Sequence, residues 1–163
     1  MPDGFVIRLR VNGEPQERWV RANRSLLDFL REDLGLAGSK HGCDVGDCGA
    51  CTVRLDGDPC LSCITLASLC DGMDVTTIEG VARDGVLDPI QEAFQRHVAA
   101  QCGYCTPGIV MALTALRAEG KPTEARMREA LGANICRCTG YTKILAAARD
   151  ALGLEPDVSE ARE

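Results

Sequence analysis

The chain has 163 residues, enough for one ordinary domain or two small ones, and 45% of them are hydrophobic, so a packed core is within reach. Aromatics make up only 4%, so that core is aliphatic. The net charge of −6 argues against a nucleic-acid binder, whose affinity needs clustered Lys and Arg, and no apolar run reaches the roughly 18 residues of a membrane span.

The first residues, MPDGFVIRLRVNG, enter an alternating apolar pattern at once, with no export signal and no twin-arginine pair. The expected compartment is the cytoplasm, where ten cysteines more often bind metal or do redox chemistry than form disulfides. Phe5, Ile7, Leu9 and Val11 alternate along FVIRLRV, NGEP reads as a turn, and ERWV as the returning strand of a hairpin. Ser25 is placed to cap a helix over LLDFLREDLG, with Leu26, Leu27, Leu30 and Leu34 on one stripe and Gly35 at its end. A glycine- and cysteine-rich loop follows, then CTVRLDGDP as a strand into a turn. LSCITLAS is ambiguous between strand and helix and is read as strand; DVTTIEG reads as another strand.

The pattern changes near residue 80. Asp88-Pro89 and Thr106-Pro107 are helix-start signals, each a cap followed by proline. Ile90, Phe94, His97 and Val98 follow the first at helical spacing, and Ile109, Val110, Leu113 and Leu116 the second. Thr123 opens a third helix through Met127, Ala130 and Leu131. A fourth runs from about Gly140 through Ile144, Leu145 and Ala148 to a Gly153 stop. The fold class is therefore α+β: a small mixed sheet with a helix on its face (3–80), a linker (81–87), four helices (88–155) and a frayed acidic tail (156–163).

In HGCDVGDCGAC, Cys43, Cys48 and Cys51 have the spacing C-x4-C-x2-C, and Cys63 follows after eleven residues. This is the plant-type ferredoxin spacing, four thiolates for one [2Fe–2S] cluster. Such a cluster carries a formal charge of about −2 when oxidised and about −3 when reduced. Burying that charge needs many donors in a small space, so backbone N–H groups must point inward. The loop then has to visit positive φ, and Gly42, Gly46 and Gly49 supply that freedom. Structural zinc prefers paired knuckles separated by a longer spacer and fits this set poorly.

The second set is Cys102 and Cys105 in QCGYCTPG, with Cys136 and Cys138 in NICRCTGY. Both pairs fall at helix junctions, where free N–H groups and a positive dipole end favour a thiolate-rich anion. Four thiolates there suit a second cluster. On spacing alone, zinc and a C-x-x-C redox disulfide remain open.

GCDVGDCGACTV with Cys63, then QCGYCTPG, then NICRCTGY, resemble the small iron–sulfur subunit of the xanthine-oxidase-type molybdenum hydroxylases, over roughly residues 4 to 153. The resemblance implies a β-grasp ferredoxin domain followed by a four-helix-bundle domain, each with one [2Fe–2S] cluster. It carries Cys43, Cys48, Cys51 and Cys63 over as ligands of the cluster nearer a flavin, and Cys102, Cys105, Cys136 and Cys138 as ligands of the cluster nearer molybdenum. It also implies contacts of Gln101 and Cys138 with the pterin of the molybdenum cofactor. Implied partners are a large molybdenum-cofactor subunit and a medium FAD subunit in a dimer of heterotrimers, and the implied function is electron transfer. The chain has no dinucleotide fingerprint and no room for a molybdenum domain, so substrate chemistry falls to other chains.

Outside both sets, Cys60 and Cys70 are read as small buried hydrophobes, His41 and His97 as structural or surface residues, and Trp19 and Tyr104 as packing residues. Lys40 is read as solvated, and Arg137 as raising the second cluster's potential or touching a cofactor. The rival functions are a stand-alone ferredoxin-like carrier and a zinc-stabilised interaction module.

Overall fold

The computed structural model describes residues 3–120 and 122–155; the expected tail, 156–163, lies outside the described residues. Strands β1 (Gly4–Val11) and β2 (Glu14–Arg21) form the expected hairpin, antiparallel along their whole length. Asn12 and Gly13 both take positive φ at its turn, as a two-residue turn matched to strand twist requires. Ile7, Leu9 and Val11 are buried. Phe5, expected with them, is 56% exposed, because this end of the hairpin runs past the core.

Ser25 caps the next helix by accepting the Asp28 N–H at 3.0 Å. That helix, α1 (Leu26–Asp28), passes at once into a wider π-type turn over Phe29–Asp33, closed by Leu34 N donating to Phe29 O. Leu26, Leu27 and Leu30 are fully buried with Phe29, which the leucine stripe did not predict. Gly35 ends the segment at φ 71.

Strands β3 (Thr52–Leu55) and β4 (Asp58–Leu61) form a second hairpin, and β5 (Asp74–Thr76) runs parallel to β1 and antiparallel to β3. The sheet order is β2-β1-β5-β3-β4. LSCITLAS is not a strand beyond Leu61. Ser62 turns inward to donate to the Cys51 carbonyl at 2.6 Å, Ile64 sits in the turn, and Ala67–Cys70 form a short 3₁₀ helix. The apolar alternation there breaks because the chain swings Cys63 toward Cys51. DVTTIEG likewise pairs only through Thr76; Ile78–Gly80 is a 3₁₀ turn.

Among the described residues the second half has four helices: α2 (Pro89–Arg96), α3 (Thr106–Ala118), α4 (Glu124–Gly132) and α5 (Thr142–Leu152). Asp88 caps α2 in a capping box with Gln91, and its carboxylate also takes both Nη atoms of Arg117 from α3. Loss of such a cap alone costs about 1 kcal/mol. Val98 does not extend the α2 stripe: His97 caps the helix, and Val98 turns outward at φ 51. Thr123 caps α4, and Gly153 ends α5 in the left-handed region. Ile90, Ile109, Leu113, Met127 and Ile144 build one aliphatic core, with Ile78 and Val81 packed against it.

Helix α3 has no polar side over its middle: every residue from Gly108 to Leu116 is buried. Ile109, Val110, Leu113 and Leu116 face the helical core, and α3 also packs on β3 and β4 of the sheet. Complete burial of one such leucine is worth about 1.5–3 kcal/mol. This helix joins the two halves and brings the two cysteine regions side by side. Among the described residues, no helix is long and apolar enough to cross a membrane.

Candidate metal centres

The first nest lies in the loop between the π-type turn and β3. Lys40 N–H donates to the Ala50 carbonyl at 3.1 Å and closes its neck, and Arg31 spans it to the Ala37 and Ser39 carbonyls at 2.8 and 2.7 Å. Inside, the N–H groups of Asp47 and Cys48 point at Cys43 Sγ, 3.3 and 3.4 Å away. With the Val45 N–H, the largest contributor, they hold the Cys43 thiol down at about 7. Burial raises Cys48, against the Ala50 N–H, and Cys43 and Cys63 raise it further. Burial, then the neighbouring Cys51, pushes Cys63 up to about 11. Each of Cys43, Cys48, Cys51 and Cys63 is thus close enough to another of the four to act on its thiol.

The glycines act in two ways. Gly46 and Gly49 have φ of 81° and 69°, as expected. Gly42 does not have positive φ; it is needed for space, since a Cβ there would lie 2.4 Å from Cys48 Sγ. Cys60 and Cys70 stand apart from the nest. Cys60 Sγ meets Thr65 Oγ1 at 3.1 Å, and Cys70, fully buried, donates to the Leu66 carbonyl at 3.6 Å with its thiol pushed up to about 11 by burial.

The second nest is made at helix ends. Cys105 occupies the cap position of α3 itself, one residue earlier than the Thr106-Pro107 signal suggests. Cys102 and Cys138 are exposed, with their sulfurs 3.5 Å apart. Cys105 and Cys136 are further in and hydrogen-bonded to each other; burial, then Cys136, pushes Cys105 up to about 12. The Tyr104 N–H is the main cause of a lowered Cys102, and the Cys102 thiol raises Cys138. Burial presses Cys136 upward, but the Thr139 hydroxyl and the Thr139 and Cys138 N–H groups outweigh it, and the net shift is down.

Three residues around this nest had no signal beyond their place next to a cysteine motif. Tyr141, at φ 66, accepts the Cys136 N–H at 2.8 Å and donates to the Asn134 carbonyl at 2.9 Å. Thr139 Oγ1 stands 3.1 Å from Cys136 Sγ. Asn134 is 2% exposed, and its Oδ1 has no partner among the described residues.

The nests meet across the seam of the two halves. The Ile135 N–H donates to the Cys48 carbonyl at 3.0 Å, linking a residue of the first nest to the neighbour of Cys136. The Tyr104 hydroxyl donates to the His41 carbonyl. A Cβ on Gly49 would lie 2.2 Å from the Ala133 carbonyl, and one on Gly108 2.2 Å from the Gly49 carbonyl. Tyr104 is thus more than packing. Outside the nests, the His41 imidazole is set between Asp44 (2.7 Å) and Asp28 (3.2 Å), and His97 faces Asp150 at 2.8 Å, both partly exposed. Lys40 Nζ is bound to the Ala37 carbonyl rather than simply solvated, while Gln101 and Arg137 are exposed beside the second nest.

Among the described residues, no three His, Cys, Asp or Glu side chains are set around a single metal ion. The thiols instead associate in pairs, Cys51 with Cys63, Cys102 with Cys138 and Cys105 with Cys136. Such a donor set suits a two-iron cluster, in which each iron takes two protein ligands.

Residues 9–71 match the model of a 2Fe-2S iron-sulfur cluster binding domain, and residues 77–149 match that of a [2Fe-2S] binding domain. The nicotinate dehydrogenase small FeS subunit of Eubacterium barkeri is 46% identical over 149 residues, covering 91% of this chain and 95% of its own. The nicotine 6-hydroxylase small subunit of Paenarthrobacter nicotinovorans is 47% identical, covering 93% and 92%. In the crystal structure of quinoline 2-oxidoreductase from Pseudomonas putida 86, a chain with 40% identity superposes with a TM-score of 0.87 over 92% of this chain and 94% of that one. The chain belongs to the small iron–sulfur subunits of the molybdenum hydroxylases. It is the electron-transfer part of a multi-subunit oxidoreductase, with a ferredoxin-like half and a helical half, each matching a [2Fe–2S]-binding domain. The reading as a zinc-stabilised interaction module gives way to this one.

Proposed function

We propose that Cys43, Cys48, Cys51 and Cys63 hold one [2Fe–2S] cluster, that Cys102, Cys105, Cys136 and Cys138 hold the second, and that the chain relays single electrons between a molybdenum–pterin site and a flavin on partner chains. The observation that carries this reading is the hydrogen bond from Ile135 N–H to the Cys48 carbonyl, which joins two four-thiol nests through main chain. The contacts support Cys51 and Cys63 sharing one iron and Cys43 and Cys48 the other. In the second nest Cys102 pairs with Cys138, and Cys105 with Cys136. A bound [2Fe–2S] cluster takes up and releases one electron at a time, whereas substrate and flavin chemistry moves two.

The chain's own residues fix the positions and surroundings of the sulfurs. In the first nest the N–H groups of Val45, Asp47 and Cys48 favour the thiolate of Cys43. In the second, exposed Cys102 and Cys138 face outward with Gln101 beside them, which supports contacts of Gln101 and Cys138 with a pterin on a large partner chain. We read the first half as a β-grasp domain (3–80), 81–87 as the linker and 88–155 as a four-helix bundle. The family supports a large molybdenum subunit, a medium FAD subunit, a dimer of heterotrimers and a cytoplasmic location.

Paramagnetic resonance on the reduced native complex tests this. Two distinct [2Fe–2S] signals are expected, with about four iron and four sulfide per chain. One signal, or none, would falsify the ligand assignment. Elution of the native chain as a lone monomer would favour a stand-alone carrier instead.

A further inference from the structure

The turn from Cys136 to Tyr141 carries contacts that holding a ligand does not require. Thr139 Oγ1 lies 3.1 Å from Cys136 Sγ. The same oxygen accepts the Tyr141 backbone N–H at 3.1 Å. A hydroxyl has one proton to give, and an oxygen that is accepting from one neighbour is free to direct that proton to another. The other neighbour is the Cys136 sulfur, which as a thiolate has no proton of its own, so Thr139 is the donor.

Tyr141 holds this geometry from both ends. Its backbone stands in the left-handed region, φ 66, unusual for an aromatic residue, and this aims its N–H back at Thr139. Its phenol oxygen accepts from the Cys136 N–H and donates to the Asn134 carbonyl, so the main chain on the near side of the cysteine is fixed as well. Among the described residues the first nest shows no such hydroxyl: apart from the neighbouring thiols, the donors to Cys43, Cys48 and Cys63 are backbone N–H groups, and the hydroxyl beside a cysteine there, Thr65, meets Cys60.

We propose that Thr139, oriented by Tyr141, is a positioning residue that raises the reduction potential of the second centre alone by hydrogen-bonding to Cys136 Sγ. Reduction adds negative charge to the cluster and its sulfurs, and a donor to sulfur stabilises that form more than the oxidised one. The inference rests on the reading in which Cys136 binds the second cluster.

The test is a potentiometric titration of both paramagnetic signals in the intact complex, with this chain unsubstituted or carrying Thr139→Val or Thr139→Ser. In Thr139→Val the second signal should appear at lower potential, by a several-fold change in its one-electron equilibrium constant; a tenfold change is 59 mV. The first signal should stay in place, and Thr139→Ser should restore the second. An unmoved second potential in a fully loaded Thr139→Val complex overturns the proposal, as does an equal shift of both signals. If Thr139→Val fails to load its second cluster, Thr139→Ala is titrated in its place with the same two outcomes. Loss of the cluster from both, with Thr139→Ser loaded, means that the hydroxyl retains the cluster rather than tuning it, and also overturns the proposal. A missing second signal in the unsubstituted complex is a different failure: it defeats the ligand assignment and takes this proposal with it.

Discussion

The first nest draws three of its four thiols from nine consecutive residues and surrounds them with backbone N–H groups; the second draws two pairs from helix ends some thirty residues apart and relies in part on the hydroxyls of Thr139 and Tyr141. One nest is a property of a loop, the other of a packed helical assembly. A loop centre is set by local backbone geometry, so its weak points are glycines. A helix-end centre is set by tertiary packing and side-chain donors, so its weak points are polar residues that no spacing rule points to.

The sharpest way to break the comparison is to remove one ligand from each nest. Cys48→Ser should abolish the first paramagnetic signal and keep the second, and Cys105→Ser the reverse. Selective loss of the wrong signal in either would show that the ligands have been divided incorrectly.

Gly49→Ala comes next. It puts an L-residue at φ 69, a strain of about 1–3 kcal/mol, and sets its Cβ 2.2 Å from the Ala133 carbonyl. Thermal unfolding of the complex should show a drop of several degrees, with signals of both centres disturbed because the seam is shared. A change confined to the first centre would mean that the seam does not couple them.

A smaller effect tests the helical half alone. Glu124 accepts from Arg149 at 2.8 and 3.0 Å and from Arg128 at 2.7 Å, and Arg149, then Arg128, holds its carboxyl below the ordinary range. A carboxyl depressed in the folded state adds stability above its unfolded pKa of about 4.3, and that stability is lost as pH falls through the folded value. Glu124→Gln should therefore cost about 1 kcal/mol at pH 7. The difference in melting temperature from the unsubstituted chain should narrow as pH is lowered toward 4. A gap that stays constant with pH would rule out the ion pair as its source.

The smallest expected effect is at Cys70. Cys70→Ala should leave both paramagnetic signals at full intensity, since its thiol is turned to the Leu66 carbonyl and away from both nests. Any loss of signal would give this cysteine a role that its burial does not suggest.

What was legible in the sequence follows the same division. Motifs of adjacent residues could be read directly: the first cysteine loop, the Asn12-Gly13 turn, the Asp88 and Thr123 caps and the Gly153 stop are local events with local signals. LSCITLAS could not be read this way, because whether it pairs or turns is decided by the approach of Cys63 to Cys51, a contact with another part of the chain that its own apolar pattern does not contain. Helix α3 misled in the other direction. Its stripe was expected to cover one face, but the sheet covers another, and burial all round reflects contact between halves that no single-helix pattern contains. Asn134, Thr139 and Tyr141 lie inside the NICRCTGY motif but carried no role of their own there, because the Tyr141 phenol bonds main-chain atoms, which every residue has, and the contact of Thr139 with the Cys136 sulfur depends on the fold of the turn.

Between the nests the lobes touch mainly through peptide groups, an amide of Ile135 on the carbonyl of Cys48 and glycine against carbonyl at Gly49 and Gly108, with the Tyr104 hydroxyl on the His41 carbonyl beside them. Peptide groups are the same in every sequence. Drift among side chains away from this seam therefore leaves the gap between the two sulfur nests as it was, whereas a bulkier residue at Gly49 or Gly108, or an insertion in the chain itself, lengthens the distance an electron must cross.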